Sequence, residues 1–388
     1  MSAITPPVRH PSAFGHHVAC FIALSVAGVT LLSRQPALQA EFDLSAGDWG
    51  WCLLALGSGA VCAYPLTRWM LVQRGSRSLL GWSGVGLGLG LALLPWWPGG
   101  LATLLPALFC QGLLANGLNV AINSQAAAFE QRSGRRCMGR LHALFYLGVT
   151  GAAAVSSAAV AAEVSARAHF AVIGLMIGTG CMWLSRRLEP DRAVPRPHAA
   201  AHMPSRDVIA LGALGAIGSI TASGVEGWAP LVLHSVMGAS ASTASLSLVC
   251  FSAAMFAGRM LTDHNAQRFG PRRLVRVGTL LGAVLLLVTV LLPSVPLAFV
   301  AIAVVGLGQA AIFPILFSTA GRLGGNAISG VASMSATGGL IGPALLGRIA
   351  AIGSPMAVLV GLSAAMMLAS WQARALPGLP AQALANHL

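Results

Sequence analysis

Apolar residues run along this chain in blocks of about twenty, divided by short stretches that are polar, basic or rich in glycine and proline. A helix of that length spans the hydrocarbon core of a bilayer, because about 20 residues rising 1.5 Å each cover roughly 30 Å. Twelve blocks are legible, at roughly 15–38, 48–71, 78–97, 101–124, 139–162, 168–187, 208–234, 242–262, 275–292, 296–318, 328–350 and 354–372. The first starts too late, and too many others follow it, for a cleaved signal peptide; no small-residue processing site is evident. The tails, 1–14 and 373–388, are expected to be short, disordered and cytoplasmic.

Composition supports the membrane assignment. The chain is 56% hydrophobic and 9% charged, and its mean hydropathy is +0.77, well outside the range of soluble globular domains. A pI near 11.2 would suit a nucleic-acid partner if the basic residues gathered on one soluble surface. They are scattered through short loops instead, so no nucleic-acid partner is expected. All 23 basic residues are arginine. With the N-terminus in the cytoplasm and the spans alternating, twenty fall on the cytoplasmic side, among them Arg9, Arg132, Arg135, Arg136, Arg192, Arg196 and Arg322. Only Arg34, Arg167 and Arg348 fall toward the other face. That bias predicts N-in, C-in. The seven cysteines lie in or beside apolar blocks with no paired spacing, and read as small core residues rather than metal ligands or disulfides.

The longest connection, RRLEPDRAVPRPHAAAHMPSRD (186–207), is charged and Pro-rich. It predicts an N-terminal six-helix bundle over 15–188, a cytoplasmic linker over 189–206 and a C-terminal six-helix bundle over 207–372. The fold class is therefore all-α integral membrane, with twelve transmembrane helices in two pseudo-symmetric bundles. The halves echo one another at an offset near 190–195, as in duplicated transporters. Pro36 pairs with Pro230, Ser45 with Ser240, and "QRGSR" (73–77) with "RFGPRR" (268–273); Asn119 falls within a residue or two of Gln309.

The stretch "GRMLTDHNAQRFGPRRLVR" (258–276) resembles the loop motif that the major facilitator superfamily carries between the second and third helices of each half. Gly258, Asp263, Arg268, Gly270, Arg272 and Arg273 match that pattern. "GLNVAINSQAAAFEQRSGR", "GLGQAAIFPILFSTAGR" and "GGLIGPALLG" (338–347) are similar to segments of bacterial permeases of the same superfamily. The resemblance covers essentially the whole chain. It implies a monomeric multi-pass transporter of the cell inner membrane, without a cofactor, whose partners are the bilayer, a small-molecule substrate and protons. The first-half copy, "AYPLTRWMLVQRGSRSLL" (63–80), lacks the acidic residue, which shifts weight to the second half.

The residues themselves give that loop work beyond topology. Gly258 permits close helix approach, Asp263 can pair with Arg259 or Arg268, and the arginines can meet the negative end of a neighbouring helix. Such a cluster can latch a cytoplasmic gate; the plainer account is a solvated basic loop that sets orientation.

Polar groups inside spans are costly and mark pathways. Asn116, Asn119 and Asn123 form one helical stripe, serving either as hydrogen-bonding wall for a polar solute or as glue between helices. Gln309 stands opposite by the repeat, and His142 reads as structural. Glu226, in "SGVEGWAPLVL", is the one acidic residue embedded well inside a span, a candidate reversible proton carrier. Arg34 lies about two residues from its repeat-equivalent position, so the two can face each other; a permanent pair would be structural instead. Trp228 can stack on a ligand or anchor the span at the interface.

Other signals carry little. "GVGLGLG" (84–90) has no strand around it, His16 and His17 are too few for a metal, and neither a Walker A sequence nor a catalytic constellation occurs. The expected function is secondary transport of a small polar organic solute by alternating access, coupled to protons. The alternatives are export of a drug or natural product such as a siderophore, and a non-transporting membrane receptor or assembly protein.

Overall fold

The computed structural model describes residues 11–44, 46–96, 99–190 and 205–377. Residues 1–10 and 378–388 of the tails, Ser45, and residues 191–204 of the linker with Arg192 and Arg196 lie outside the described residues. Every regular element among the described residues is helical. The first half contains α1 (Pro11–Ser33), α2 (Gln35–Glu41), α3 (Ala46–Cys62), α4 (Tyr64–Leu93), α5 (Leu101–Ser133), α6 (Met138–Ala161) and α7 (Ala166–Arg187). The second contains α8 (Arg206–Ser235), α9 (Ala241–Phe269), α10 (Pro271–Leu291), α11 (Val295–Ala310), α12 (Ile312–Leu323), α13 (Gly325–Ile352) and α14 (Pro355–Gln372).

Two compact units result, Met1–Ala199 with Gly321–Ser329, and Ala200–Ala320 with Gly330–Leu388. In the first, α1 packs on α6, α3 on α5, and α4 on both α5 and α7. In the second, α9 and α10 pack on α11, and α14 on α8 and α10. The short segment 321–329 joins the first unit by contact with α5, where Gln131 Nε2 donates to the Gly321 carbonyl at 2.8 Å. Local polar groups finish the helix ends: Glu130 Oε1 accepts from the backbone N–H of Cys137 and Met138 at 2.7 and 2.9 Å, and so holds two of the donors that the first turn of α6 leaves open.

Among the described residues, eleven helices are long and apolar enough to cross a membrane, and the apolar stretch Trp51–Cys62 is shorter. The expected twelve blocks differ from this count at the second and third. Tyr64-Pro65 ends α3 and opens α4, because a proline ring clashes with the carbonyl four residues back but fits a first helical turn. The block 48–71 is thus α3 plus the start of α4. The block 78–97 is the remainder of α4, beyond a break at Gly75 (φ 80°, ψ 168°). In the second half the equivalent Gly270 adopts φ 82°, ψ 145° and separates α9 from α10 outright. Both conformations lie where a side chain is strained and glycine is not.

The repeat is visible in packing as well as in sequence. Helices α1, α3 and α5 begin at Pro11, Ala46 and Leu101; α8, α9 and α11 begin at Arg206, Ala241 and Val295. A Cβ built on Gly112 of α5 would lie 1.8 Å from the Leu56 carbonyl oxygen of α3, and its next neighbour is the Ala60 nitrogen. Its counterpart, Gly306 of α11, meets the Phe251 oxygen and Met255 nitrogen of α9 at 2.9 and 3.3 Å. Three backbone positions correspond at an offset of 194 to 195. Lipid tails are as apolar as leucine side chains, so helices here associate through close packing and hydrogen bonds rather than hydrophobic burial.

These distances rank two substitutions. Gly112→Ala forces backbone far apart at the α3–α5 crossing, whereas Gly306→Ala, which meets the Phe251 oxygen and Ala254 Cβ at 2.9 Å, forces a smaller separation at α9–α11. Gly112→Ala should cost about 1–3 kcal/mol, with Gly306→Ala clearly milder, read as melting temperature and monodispersity in detergent. Equal melting of both variants would contradict the packing described.

Candidate functional site

Each unit's first long helix carries a proline at a corresponding place. In the first unit, α1 stops at Ser33 and α2 starts at Gln35, with Pro36 in its first turn. In the second, Pro230 stands inside α8. A proline lacks the N–H that would bond the carbonyl four residues back, so Pro230 deprives the Glu226 carbonyl of its helical partner. Each proline has a charge close before it: Arg34 between α1 and α2, and Glu226 one turn before Pro230 within the unbroken α8. Pro- or Gly-interrupted segments at corresponding places in two repeats are the mark of a transporter binding site.

Arg34 is buried, with 6% of its surface exposed. Its Nε donates to His169 Nδ1 at 2.9 Å and its Nη2 to the Val164 carbonyl at 3.1 Å. The guanidinium is thus fixed against the start of α7 and the segment before it. Glu226, by contrast, is exposed on α8. The cation whose field reaches it is Arg259 of α9, a residue buried to 4% exposure. The partner expected for Glu226 was Arg34. The interactions that hold Arg34 come from its own unit, and Arg259 was considered only as a partner of Asp263.

The asparagine stripe divides in use. Asn116 is buried and donates to the Ala60 carbonyl at 2.7 Å, tying α5 to α3. Asn123 is fully buried; its Nδ2 reaches the Asn119 carbonyl at 2.8 Å and Asn119 Oδ1 at 2.9 Å. Its Oδ1 meets His142 Nε2 at 3.1 Å, and the His142 ring lies edge-on to Phe21 of α1 with centroids 5.1 Å apart. His142 is therefore part of the same polar chain, joining α5 to α6. Gln309, at the end of α11, is buried and donates to Thr221 Oγ1 of α8. Thr221 in turn donates to the Ile217 and Gly218 carbonyls at 2.9 and 3.1 Å. The repeat match of Gln309 with Asn119 does not hold in this packing: the offset of 194 between Gly112 and Gly306 sets Gln309 level with Ala115. Trp228 is half-buried, 4.0 Å from the position of a Cβ on Gly347 of α13.

In the basic loop, a Cβ on Gly258 would lie 2.6 Å from Ala310 Cβ and 3.1 Å from the Leu307 carbonyl, so glycine sets the α9–α11 approach. Arg272 Nε donates to the Leu376 carbonyl at 2.9 Å, and its backbone N–H to the Pro377 carbonyl at 3.3 Å. Both carbonyls belong to the segment that follows α14 and its closing 3-10 turn, so Arg272 ties the loop to that segment rather than to the last turn of the helix. Arg268 covers the Phe269 ring at 5.2 Å, Asp263 is half-buried and Arg273 exposed. Gly270 supplies the positive-φ turn. Sequence reasoning passed over His169, Thr221 and the part played by Arg259, because their partners lie far along the chain.

Comparison with known proteins now bears on this arrangement. The sequence profile of the Major Facilitator Superfamily matches residues 17–343. An uncharacterised transporter of Sinorhizobium fredii is 27% identical over 332 residues, covering 83% of this chain and 86% of that protein. An uncharacterised MFS-type transporter of Yersinia pestis is 28% identical over 366 residues, covering 90% and 93%. Among solved structures, the transporter FucP in its outward conformation superposes with a TM-score of 0.75 at 17% identity, covering 93% of this chain and 97% of that one. The human organic anion transporter MFSD10 gives 0.76 at 14% identity, covering 95% and 100%; at such identities the likeness concerns the fold. With its helices, its repeat and its profile in agreement, this chain is a multi-pass membrane transporter belonging to the Major Facilitator Superfamily.

Proposed function

We propose that the chain is a secondary transporter of the cell inner membrane that moves a small polar organic solute by alternating access, driven by protons through Glu226. The observation that carries this reading is a proline at corresponding places of the two leading helices, Pro36 just past the kink at Arg34 and Pro230 inside the continuous α8, each with a charged residue within one turn before it. An intramembrane carboxyl is retained against its cost only where it works. Glu226 is exposed, stands beside a carbonyl freed by Pro230, and lies within the field of Arg259. Such a group can exchange a proton as the pathway opens to one side and then the other. In this reading the twelve spans count α3 with residues 64–74 as the second and residues 76–96 as the third, both termini lie in the cytoplasm, and the 258–276 loop helps latch the cytoplasmic side.

Orientation has a direct check. Reporter fusions at residues 132–136, 192–206 and 268–273 should all read as cytoplasmic. Any one of them on the outer face would sink the twelve-span, N-in arrangement.

The coupling role is tested with Glu226→Gln, which keeps shape and hydrogen bonding but fixes neutrality. After a substrate screen in proteoliposomes, gradient-driven accumulation by the variant should vanish while solute counterflow survives. If Glu226 serves only as an electrostatic partner of Arg259, the variant instead removes part of what balances a buried cation, at a cost of a few kcal/mol. Its melting temperature should then fall, and Arg259→Gln in the same chain should restore it. Full accumulation by a well-folded Glu226→Gln protein would exclude the residue as the coupling site.

A further inference from the structure

The environment of Arg34 bears on what the solute must be. Arg34 and His169 expose 6% and 5% of their surfaces. Accepting from Arg34 Nε requires His169 Nδ1 to be without a proton, so the imidazole is neutral and carries its hydrogen on Nε2. That Nε2 is buried with no hydrogen-bond partner. The two bonds of Arg34 therefore go to neutral acceptors, an imidazole nitrogen and the Val164 carbonyl.

Among the described residues Arg34 has no carboxylate partner. Glu41, the acid on α2, is taken by Arg167, which also covers the Trp96 ring at 4.8 Å. Asp43 and Glu163 at the same end of the unit are exposed, and neither forms an ion pair with Arg34. A buried cation without a counter-charge is expensive, and proteins keep buried charges paired. Two bonds hold the guanidinium in place by Nε and Nη2, while Nη1 takes no bond among the described residues. A planar fork held in this way is suited to an incoming carboxylate.

We propose that Arg34 is the anion-recognition residue of the transporter, that its ligand is the carboxylate of a small organic anion, and that His169 is the positioning residue that orients the guanidinium. This rests on the transporter reading above and narrows its solute from polar to anionic. Arg34 occupies the kink that follows α1, near the end of the first unit's leading helix and against the start of α7.

The test uses the full-length protein in detergent, with sodium acetate, lactate and benzoate as probes. Their uncharged amides, and sodium chloride at equal ionic strength, are the controls. Melting temperature should rise saturably with at least one carboxylate, by about 2 °C at ten times its dissociation constant, and not with its amide or with chloride. Arg34→Gln should abolish the rise. Where that variant fails to fold, Arg34→Lys keeps the charge, loses the fork and should bind at least tenfold more weakly. His169→Leu should weaken binding of the same carboxylate, and His169→Asn, which retains an acceptor, should restore part of it. Equal shifts from carboxylate and amide, no shift from any carboxylate, or an undiminished shift in a folded Arg34→Gln protein would overturn the assignment. Counterflow in proteoliposomes separates this from the transporter reading. Undiminished exchange of a neutral solute by Arg34→Gln removes the anion and leaves the transporter. Saturable, Arg34-dependent binding of a carboxylate that the wild type never exchanges keeps the anion site and removes transport as its purpose.

Discussion

In hydrocarbon a backbone carbonyl has no water to turn to, so a spanning helix must satisfy its polar groups internally or against protein. That constraint explains why every regular element among the described residues is helical, and it gives weight to the places where a helix is broken or holds a proline. Pro36, just past the kink at Arg34, and Pro230 inside α8 each leave a carbonyl four residues back without its helical N–H, and each has a charge within one turn before it. At Ala311, between α11 and α12, the break again precedes a proline, Pro314, and the preceding turn holds Gln309 against Thr221. Interruption and polarity coincide because each is tolerable only where the other gives it a partner.

The same constraint governs how the helices are joined. With no hydrophobic drive between them, close backbone approach and a few hydrogen bonds must do the work. The α3–α5 and α9–α11 crossings use glycine at Gly112 and Gly306. Around those crossings the amides of Asn116 and Gln111 reach carbonyls of neighbouring helices, at 2.7 Å to Ala60 and 3.4 Å to Leu87. Bonds of this kind are individually small, on the order of 0.6 kcal/mol in membrane proteins. Their value lies in fixing register: Gly112 and Gly306 meet equivalent backbone atoms because their helices cannot slide.

Much of the fold was legible because a bilayer imposes a length, and length survives translation from sequence to structure. The apolar blocks fell on helices, and the basic loop carried the family pattern from Gly258 to Arg273. Block edges were poorly legible where proline or glycine acted. Pro65 moved a helix boundary into the middle of one block, and Gly75 left α4 joined where Gly270 parted α9 from α10. The side chains were harder. His169 holds Arg34 from 135 residues away, and no local pattern announces such a pair. Gln309 was matched to Asn119 at an offset near 190, but the glycine crossings run at 194; a slip of four residues is one helical turn, enough to keep the face and lose the level.

The polar residues singled out as cavity wall are not equivalent once their bonds are traced. Asn116 spends a donor on α3, Asn123 spends donors on Asn119 and faces His142, and Gln309 spends one on Thr221. An amide already bonded to protein can serve a solute only by giving up a bond of similar worth, so its net contribution to binding is small. A charge differs, because an uncompensated cation gains from an anion what no neutral acceptor gives it. Arg34 keeps that capacity behind two neutral partners, and Glu226 keeps an exposed carboxyl within the field of Arg259. The amides accordingly hold the units in shape, and under the proposed function discrimination between solutes would fall to the two charges near Pro36 and Pro230.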